Sequence, residues 1–316
     1  MEDFGVIVAC CPSDYLFAKG CCASIRHFLG QVPICILFDG VFQDSSFQKQ
    51  YQVQVIDHTT VKTPLLRQKS FGWGKTKMIG FWESPWKHFL MLDADTNLWG
   101  NIAKHANFKD WDIITDKPTY EYSDDSICHF FFEISLVEKH FPNFDWQTYR
   151  NNYFCTGVFF GTRDSFSLQE YEEILQFHEK NPNVFKYGEM GFLNFMIFRA
   201  AQEKRVRVTQ ADIQLLVPDF DQEDVKKLFP ITETGPVVQN GDAKAIHWCG
   251  PKPTLSSSRV YADPMNYFRR QYRKDTFGST GWAADAILKF EELDRNTRVY
   301  ANKIRKRLKT VKKTCG

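Results

Sequence analysis

Hydrophobic positions in this chain fall into short uncharged runs separated by longer stretches of helical spacing. Gly5-Val6-Ile7-Val8-Ala9-Cys10 is β-branched and free of charge, which predicts a buried strand. Pro12-Ser13-Asp14 breaks it, and Ser13 or Asp14 is placed to cap a helix over 15–29. Pro33-Ile34-Cys35-Ile36-Leu37-Phe38 predicts a second strand ending in the turn signal Asp39-Gly40, and the alternating run 52–57 a third. Strand, helix and strand joined by short links open a parallel doubly wound α/β sheet. Further along, the pattern predicts a helix over 75–82 and strands at 111–115 and 152–161, the last with Gly157 in its middle. A helix is predicted over 165–179, the stretch 186–194 leads into a second helix ending near Ala201, and strand and loop over 206–218 and a short helix over 221–229 follow. Another short strand leads to His247, and a final helix starts at Gly281. Tyr120 to Trp146 mixes aromatics and acids without a period and reads as an irregular lid or binding loop.

The stretch that organises the chain is His88-Phe89-Leu90-Met91-Leu92-Asp93-Ala94-Asp95-Thr96-Asn97. A run this short and apolar, bounded by charge, predicts a central strand. Ligands in open α/β sheets bind beyond the carboxyl ends of such strands, where Asp93 and Asp95 emerge. Two hard oxygen donors on one loop suit a divalent cation that also holds phosphate, Mn²⁺ or Mg²⁺. A bare Asp-x-Asp is equally compatible with a capped or solvated loop, so its neighbours decide.

Those neighbours carry matching chemistry. Lys244-Ala245-Ile246-His247-Trp248-Cys249-Gly250-Pro251-Lys252-Pro253 ends a strand on a histidine, then supplies a glycine and a lysine between two prolines. His247 offers a metal ligand, Gly250 a close backbone approach and Lys252 a phosphate charge. Lys77 is a second cation near the acidic strand, although helix lysines are more often only solvated. At the first strand-to-helix turn, Ala9, Asp14 and Tyr15 face the same crevice: Tyr15 reads as a base platform or a packing aromatic, Asp14 as a base acceptor or a helix cap. No Gly-x-Gly-x-x-Gly and no Walker A loop is present, which argues against a dinucleotide fold or a P-loop.

Composition bounds the reading. With 316 residues, 43% hydrophobic and 25% charged, the chain can bury a large core. Twenty-nine phenylalanines point to an aromatic core or to sugar platforms. The net charge of +2 hides an asymmetry: Arg295, Arg298, Lys303, Arg305, Lys306, Arg307, Lys309, Lys312 and Lys313 cluster at the end, leaving an acidic body. Nucleic acid is therefore not the expected partner. The basic residues flank an apolar stripe of Phe290, Leu293, Tyr300, Ile304, Leu308 and Val311, read as peripheral contact with anionic lipid, as a helix packed on the acidic body, or as a solvated tail. Nine cysteines with no C-x-x-C pair predict neither a zinc site nor a disulfide framework, but buried thiols in a reducing, cytoplasmic setting. The acidic Met1-Glu2-Asp3-Phe4 argues against a signal peptide, and no run of eighteen apolar residues exists.

Taken in order, these motifs resemble the retaining glycosyltransferases of family 8, the group of glycogenin and the bacterial lipopolysaccharide galactosyltransferases. The matches are the Ala9 to Tyr15 turn, Lys77, Leu92-Asp93-Ala94-Asp95-Thr96, Tyr153-Phe154 with Gly157, Tyr187-Gly188-Glu189 with Leu193-Asn194, and His247, Gly250 and Lys252-Pro253. The resemblance implies a GT-A type, Rossmann-like mixed sheet flanked by helices. It implies a nucleotide-sugar-binding and catalytic domain over 1–255, with a helical C-terminal extension over 256–316. It further implies a UDP-sugar donor, Mn²⁺ held by Asp93, Asp95 and His247, base contacts from Asp14 and Tyr15, and diphosphate or sugar contacts from Lys77, Gly250 and Lys252. Ala9 and Ala94 would lie against the donor, and Glu189 would orient sugar hydroxyls or face the anomeric carbon. Three departures stand out. Cys155-Thr156-Gly157 replaces the family's Asn-Ala-Gly, Glu189-Met190-Gly191 replaces Asp-Gln-Asp, and the glycine-to-lysine spacing is one residue shorter. The missing amides keep a noncatalytic nucleotide-sugar binder in view. A sugar nucleotidyltransferase is disfavoured because residues 9–20 lack a glycine-rich basic turn. The acceptor, whether glycan, lipid-linked sugar or protein, is expected at the 120–146 and 261–282 stretches.

Overall fold

Four consecutive side chains of the central strand, Phe89 to Leu92, are fully buried, and this follows from strands on both sides and helices on both faces. A computed structural model describes residues 3–72, 74–239, 241 and 243–314, with side chains in the last helix described to 301 and at 304. In chain order the strands are β1 (Phe4–Cys10), β2 (Ile34–Phe38), β3 (Gln54–Ile56), β4 (His88–Asp93), β5 (Thr96–Trp99) and β6 (Ile113–Asp116). They continue with β7 (Val158–Thr162), β8 (Val208–Ala211), β9 (Gln214–Leu216), β10 (Ile231–Thr232), β11 (Gly235–Pro236) and β12 (Lys244–His247). Seven form one sheet in the order β3-β2-β1-β4-β7-β6-β8. β1, β2, β3 and β4 run parallel, while β7 lies antiparallel to both β4 and β6. The sheet is mixed, as expected.

Side chains alternate along each strand, so the sheet divides the core in two. Val6, Val8, Leu90 and Leu92 meet the helices Tyr15–Leu29 and Asp263–Phe277 on one face. Ile7, Phe89, Met91 and Phe159 meet the helix Glu189–Gln202 and its aromatic neighbours on the other. The phenylalanines thus build core. The helix Asp263–Phe277, in the stretch expected to shape an acceptor site, instead packs on Tyr15–Leu29 through Met265, Phe268 and the buried Arg269, which pairs with Glu291 and Glu292.

Several local expectations need correction. Residues 75–82 form a 3₁₀ turn, Lys75–Ile79, followed by one helical turn, Gly80–Glu83. The 120–146 stretch contains two short helices, Asp124–Phe130 and Ile134–His140. The expected strand over 152–161 begins only at Val158, because the backbone of Phe154 pairs with the side-chain amide of Asn194 (3.0 and 2.9 Å) rather than with a neighbouring strand. Asp14 precedes its helix but makes no capping hydrogen bond; Arg295 of the final helix takes its carboxylate at 3.2 Å. That helix runs Gly281–Thr314, and Phe290, Leu293, Tyr300 and Ile304 are exposed along it. Leu308, Val311 and the basic side chains Lys303, Arg305, Lys306, Arg307, Lys309, Lys312 and Lys313 lie outside the described residues, as does Cys315. No helix among the described residues is long and apolar enough to cross a membrane.

Candidate active site

The acidic loop is held by its backbone before any side chain acts. Asp93 N–H donates to the Gly157 carbonyl (2.8 Å), Ala94 N–H to the Ala9 carbonyl (3.0 Å) and Trp248 N–H to the Asp95 carbonyl (3.1 Å). Thr96 Oγ1 closes the turn on the Asp93 carbonyl (2.7 Å). The chain then reverses into β5, which nothing in the sequence pattern announced. β5 pairs antiparallel with β12 and β12 parallel with β9, so that His247 sits opposite Thr96. This small sheet carries the histidine to the two aspartates.

His247 Nε2 lies 3.6 Å from Asp95 Oδ1 and 3.9 Å from Asp93 Oδ2. Its Nδ1 is 2.9 Å from Gln214 Oε1, and Gln214 Nε2 donates to the Cys155 carbonyl (3.1 Å), which fixes the amide orientation. Burial lowers the pKa of this ring, but Cys155 and Asp95 outweigh it and raise it; Nδ1–H donates to Gln214, and Nε2 faces the two carboxylates. Cis ligands of an octahedral ion with bonds of about 2.1 Å stand about 3 Å apart, so the two imidazole–carboxylate distances need to close by less than about 1 Å. Two hard carboxylates and one imidazole fit Mn²⁺ or Mg²⁺. Gly157 makes the arrangement sterically possible, since a Cβ there would stand 2.2 Å from the imidazole.

Both carboxylates are paired with lysines. Lys77, almost fully buried, makes 2.8 Å to Asp93 Oδ1, 2.6 Å to Glu189 Oε1 and 3.0 Å to the Thr156 carbonyl, which uses all three ammonium protons. Burial lowers its pKa, but Asp93 and Glu189 outweigh this and raise it. Lys252 pairs with Asp95 and lies 3.9 Å from Asp14. Burial alone would raise the Asp95 carboxyl; Lys252 and His247 hold it well below the usual carboxylate range. Glu189, in the first turn of its helix, also accepts from Thr156 Oγ1 at 2.8 Å.

A cavity of about 740 Å³ brings together Ala9, Asp14, Lys77, Asp93, Ala94, Asp95, Glu189, His247, Gly250 and Lys252. Gly250 adopts φ +100 with open space around its Cα, a backbone that can be approached closely. Tyr15 is not in the lining: its ring packs edge-on against Phe38, Phe42 and Phe47, and its hydroxyl donates to Asp44 (2.8 Å). The aromatic wall comes instead from Tyr120, Tyr122, Phe130 and Phe131 of the 120–146 stretch. Asp39 also lines the cavity; the sequence marked it only as a turn. Gln214 carried no sequence signal, because its importance lies in a contact made across 33 residues.

Asp116 anchors the start of β9 by accepting from the backbone N–H groups of Ile213 (3.2 Å) and Gln214 (3.0 Å). Burial, only partly offset by those bonds, pushes its pKa up to about 7. The folded chain keeps this proton to about pH 7, whereas the unfolded chain loses it near pH 4. The stability so contributed is complete below about pH 4 and is lost as pH rises through 7. Asp116→Asn keeps an acceptor and removes the titration. Between pH 5 and 8, urea unfolding should show the wild type losing about 2–3 kcal/mol more stability than the variant; parallel curves would refute the assignment.

No protein-family model and no curated protein matches the sequence. Solved structures do. The bifunctional glycosyltransferase WbbM aligns over 93% of this chain and 52% of its own, at 12% identity and TM-score 0.54. The galactosyltransferase LgtC, solved with donor and acceptor sugar analogs, aligns over 86% and 99%, at 12% identity and TM-score 0.52. The glycosyltransferase GlyE of Streptococcus pneumoniae aligns over 94% and 64%, at 13% identity and TM-score 0.52. The chain thus spans about half of WbbM and all but a sliver of LgtC's length. The chain has the GT-A type fold of these glycosyltransferases, in line with its resemblance to family 8.

Proposed function

We propose that the protein is a metal-dependent glycosyltransferase that moves a hexose from a UDP-sugar to an acceptor with retention of anomeric configuration. The observation that carries this reading is the convergence of Asp93, Asp95 and His247 at the end of the central strand, inside a cavity that also presents Lys252 and Glu189. Cleavage of a sugar–phosphate bond puts negative charge on the diphosphate and positive charge on the anomeric carbon. Asp93, Asp95 and His247 would hold a Mn²⁺ or Mg²⁺ ion, which would supply charge neutralisation for the diphosphate. Lys252, which balances Asp95 in the free protein, turns to the diphosphate once that carboxylate is otherwise neutralised. Glu189, steadied by Lys77 and Thr156, offers its carboxylate to sugar hydroxyls and to the developing positive charge. Asp14, Ala9 and Ala94 bound the nucleotide end, and Gly250 lets the diphosphate meet backbone. Tyr120, Tyr122 and Phe130 provide apolar faces for an acceptor glycan, lipid-linked sugar or protein.

Free thiols at all the described cysteines favour a reducing, cytoplasmic setting. The exposed Phe290, Leu293 and Tyr300, on a helix whose sequence is strongly basic, favour peripheral contact with an anionic bilayer. The test is nucleotide release from a panel of UDP- and GDP-sugars with Mn²⁺ or chelator. Slow metal-dependent hydrolysis of one UDP-sugar is expected, and NMR of the product then reads the anomer. Tight UDP binding without turnover under any acceptor would favour the noncatalytic binder, and an inverted product would remove retention.

A further inference from the structure

Four cysteines line the cavity and are left unused by the sugar-transfer chemistry, and two of them stand beside His247. Cys155 precedes Thr156, and Cys249 lies two residues beyond His247, just past the end of β12. Their sulfurs and a ring nitrogen of His247 all lie within 4.8 Å of one another, and Cys155 Sγ is 3.8 Å from Nδ1. In tetrahedral zinc sites, with Zn–S near 2.3 Å and Zn–N near 2.0–2.1 Å, a sulfur and a nitrogen on one ion stand about 3.5 Å apart and two sulfurs about 3.8 Å. The Cys155–His247 edge already has nearly this length. All three residues face the cavity, so the fourth position of such an ion opens to solvent or to a ligand. Cys21, Cys22 and Cys35, by contrast, are buried in the core with the sheet and its helices.

We propose that Cys155, Cys249 and His247 Nδ1 form a second metal site, for Zn²⁺ or a similarly thiophilic ion, which shares its imidazole with the Asp93–Asp95 site and weakens hard-metal binding there. Softness separates the two sites: thiolates select Zn²⁺, whereas carboxylates and phosphate oxygens select Mn²⁺ or Mg²⁺. The imidazole couples them by position and charge. Zinc binding takes Nδ1 from Gln214, each thiol releases one proton, and the ring is drawn towards the sulfurs, away from the aspartates that Nε2 faces at 3.6 and 3.9 Å. Two divalent ions on one imidazole also repel each other. Thiophilic metal therefore weakens the hard site without touching Asp93 or Asp95. This holds for the chain whatever reaction its cavity performs, since it rests on the three ligands alone.

The test uses the full chain, reduced and kept from air, titrated with Co²⁺ as a spectroscopic substitute for Zn²⁺. The expected spectrum has the intense visible bands of tetrahedral cobalt and thiolate-to-cobalt charge transfer in the near ultraviolet, both abolished by equimolar Zn²⁺. Cys249→Ser and Cys155→Ser, checked for folding by circular dichroism, should lose the charge transfer; should Cys155→Ser fail to fold, Cys249→Ser decides alone. In parallel, saturating Zn²⁺ should weaken Mn²⁺ binding, read by electron paramagnetic resonance of free Mn²⁺, at least tenfold in the wild type and not in Cys249→Ser. A weak octahedral cobalt spectrum, or charge transfer that survives both substitutions, overturns the site. Mn²⁺ affinity indifferent to Zn²⁺ overturns the coupling. Neither readout requires sugar transfer, so an inactive chain with the cobalt spectrum would sink the proposed reaction and leave this site standing.

Discussion

Asp95→Asn is expected to lower sugar transfer a hundredfold to a thousandfold, about 2.7–4 kcal/mol of transition-state stabilisation. Asparagine preserves size and one oxygen, so the packing around this 6% exposed side chain is kept and only the charge is removed. Three groups depend on that charge: Lys252, which pairs with it, His247, 3.6 Å away, and the cation proposed between them. Without it, Lys252 retains Asp14, at 3.9 Å, and the more distant charge of Asp93. The check is the initial rate of UDP release against Mn²⁺ concentration, together with Mn²⁺ affinity measured separately. Both should fall, and the rate should not recover at saturating Mn²⁺. A full rate at high Mn²⁺ would show that Asp95 only binds the ion, and an unchanged rate at low Mn²⁺ would remove it from the site altogether.

Lys77→Met is expected to be the most destabilising single change in the cavity, costing about 3–5 kcal/mol. Methionine fills similar space, but Asp93 and Glu189 lose the ammonium that lies 2.8 and 2.6 Å from them, and the Thr156 carbonyl loses its donor. Breaking one side of a buried ion pair leaves an uncompensated charge, which costs more than the intact pair contributes. Two further outcomes separate this from simple loss of packing. Adding Glu189→Gln should recover a good part of the stability, since one of the two orphaned charges is gone. Adding Mn²⁺ should stabilise the Lys77→Met protein more than the wild type, because the ion then supplies the charge that Asp93 lacks. Urea unfolding of the wild type, the two single variants and the double variant, with and without Mn²⁺, decides it; equal losses in Lys77→Met and the double variant would mean the lysine acts by packing alone.

The central features of the site could be read before any coordinates. A short apolar strand ending in Asp93 and Asp95 is a local pattern, and the rule that α/β sheets bind ligands at such ends needs no tertiary detail. The same holds for the glycine and proline spacing around Lys252, for β1 and β2, and for the helix over 15–29, whose bounds the structure reproduces. Periodicity and charge act within a few residues, so sequence spacing is enough to see them.

What lay beyond reach were contacts between distant segments. Thr96–Trp99 is too short to stand out as a strand, and it exists because β12 pairs with it. Lys77 has the look of a solvated lysine until Asp93 and Glu189 close over it. Tyr15 has the right place in its motif, but Asp44 and three phenylalanines hold it in the wall behind the cavity. The cysteines show the same limit most sharply. Without a C-x-x-C pair they promised no metal chemistry, yet the fold carries Cys155 across 92 residues to His247 and Cys249. The sequence by itself determined which residues stand at strand ends, because burial of a strand is decided by its own side chains. Only the tertiary structure decided which of those ends meet, because a ligand set is a matter of distances of a few ångströms between segments whose separation along the chain carries no trace of them.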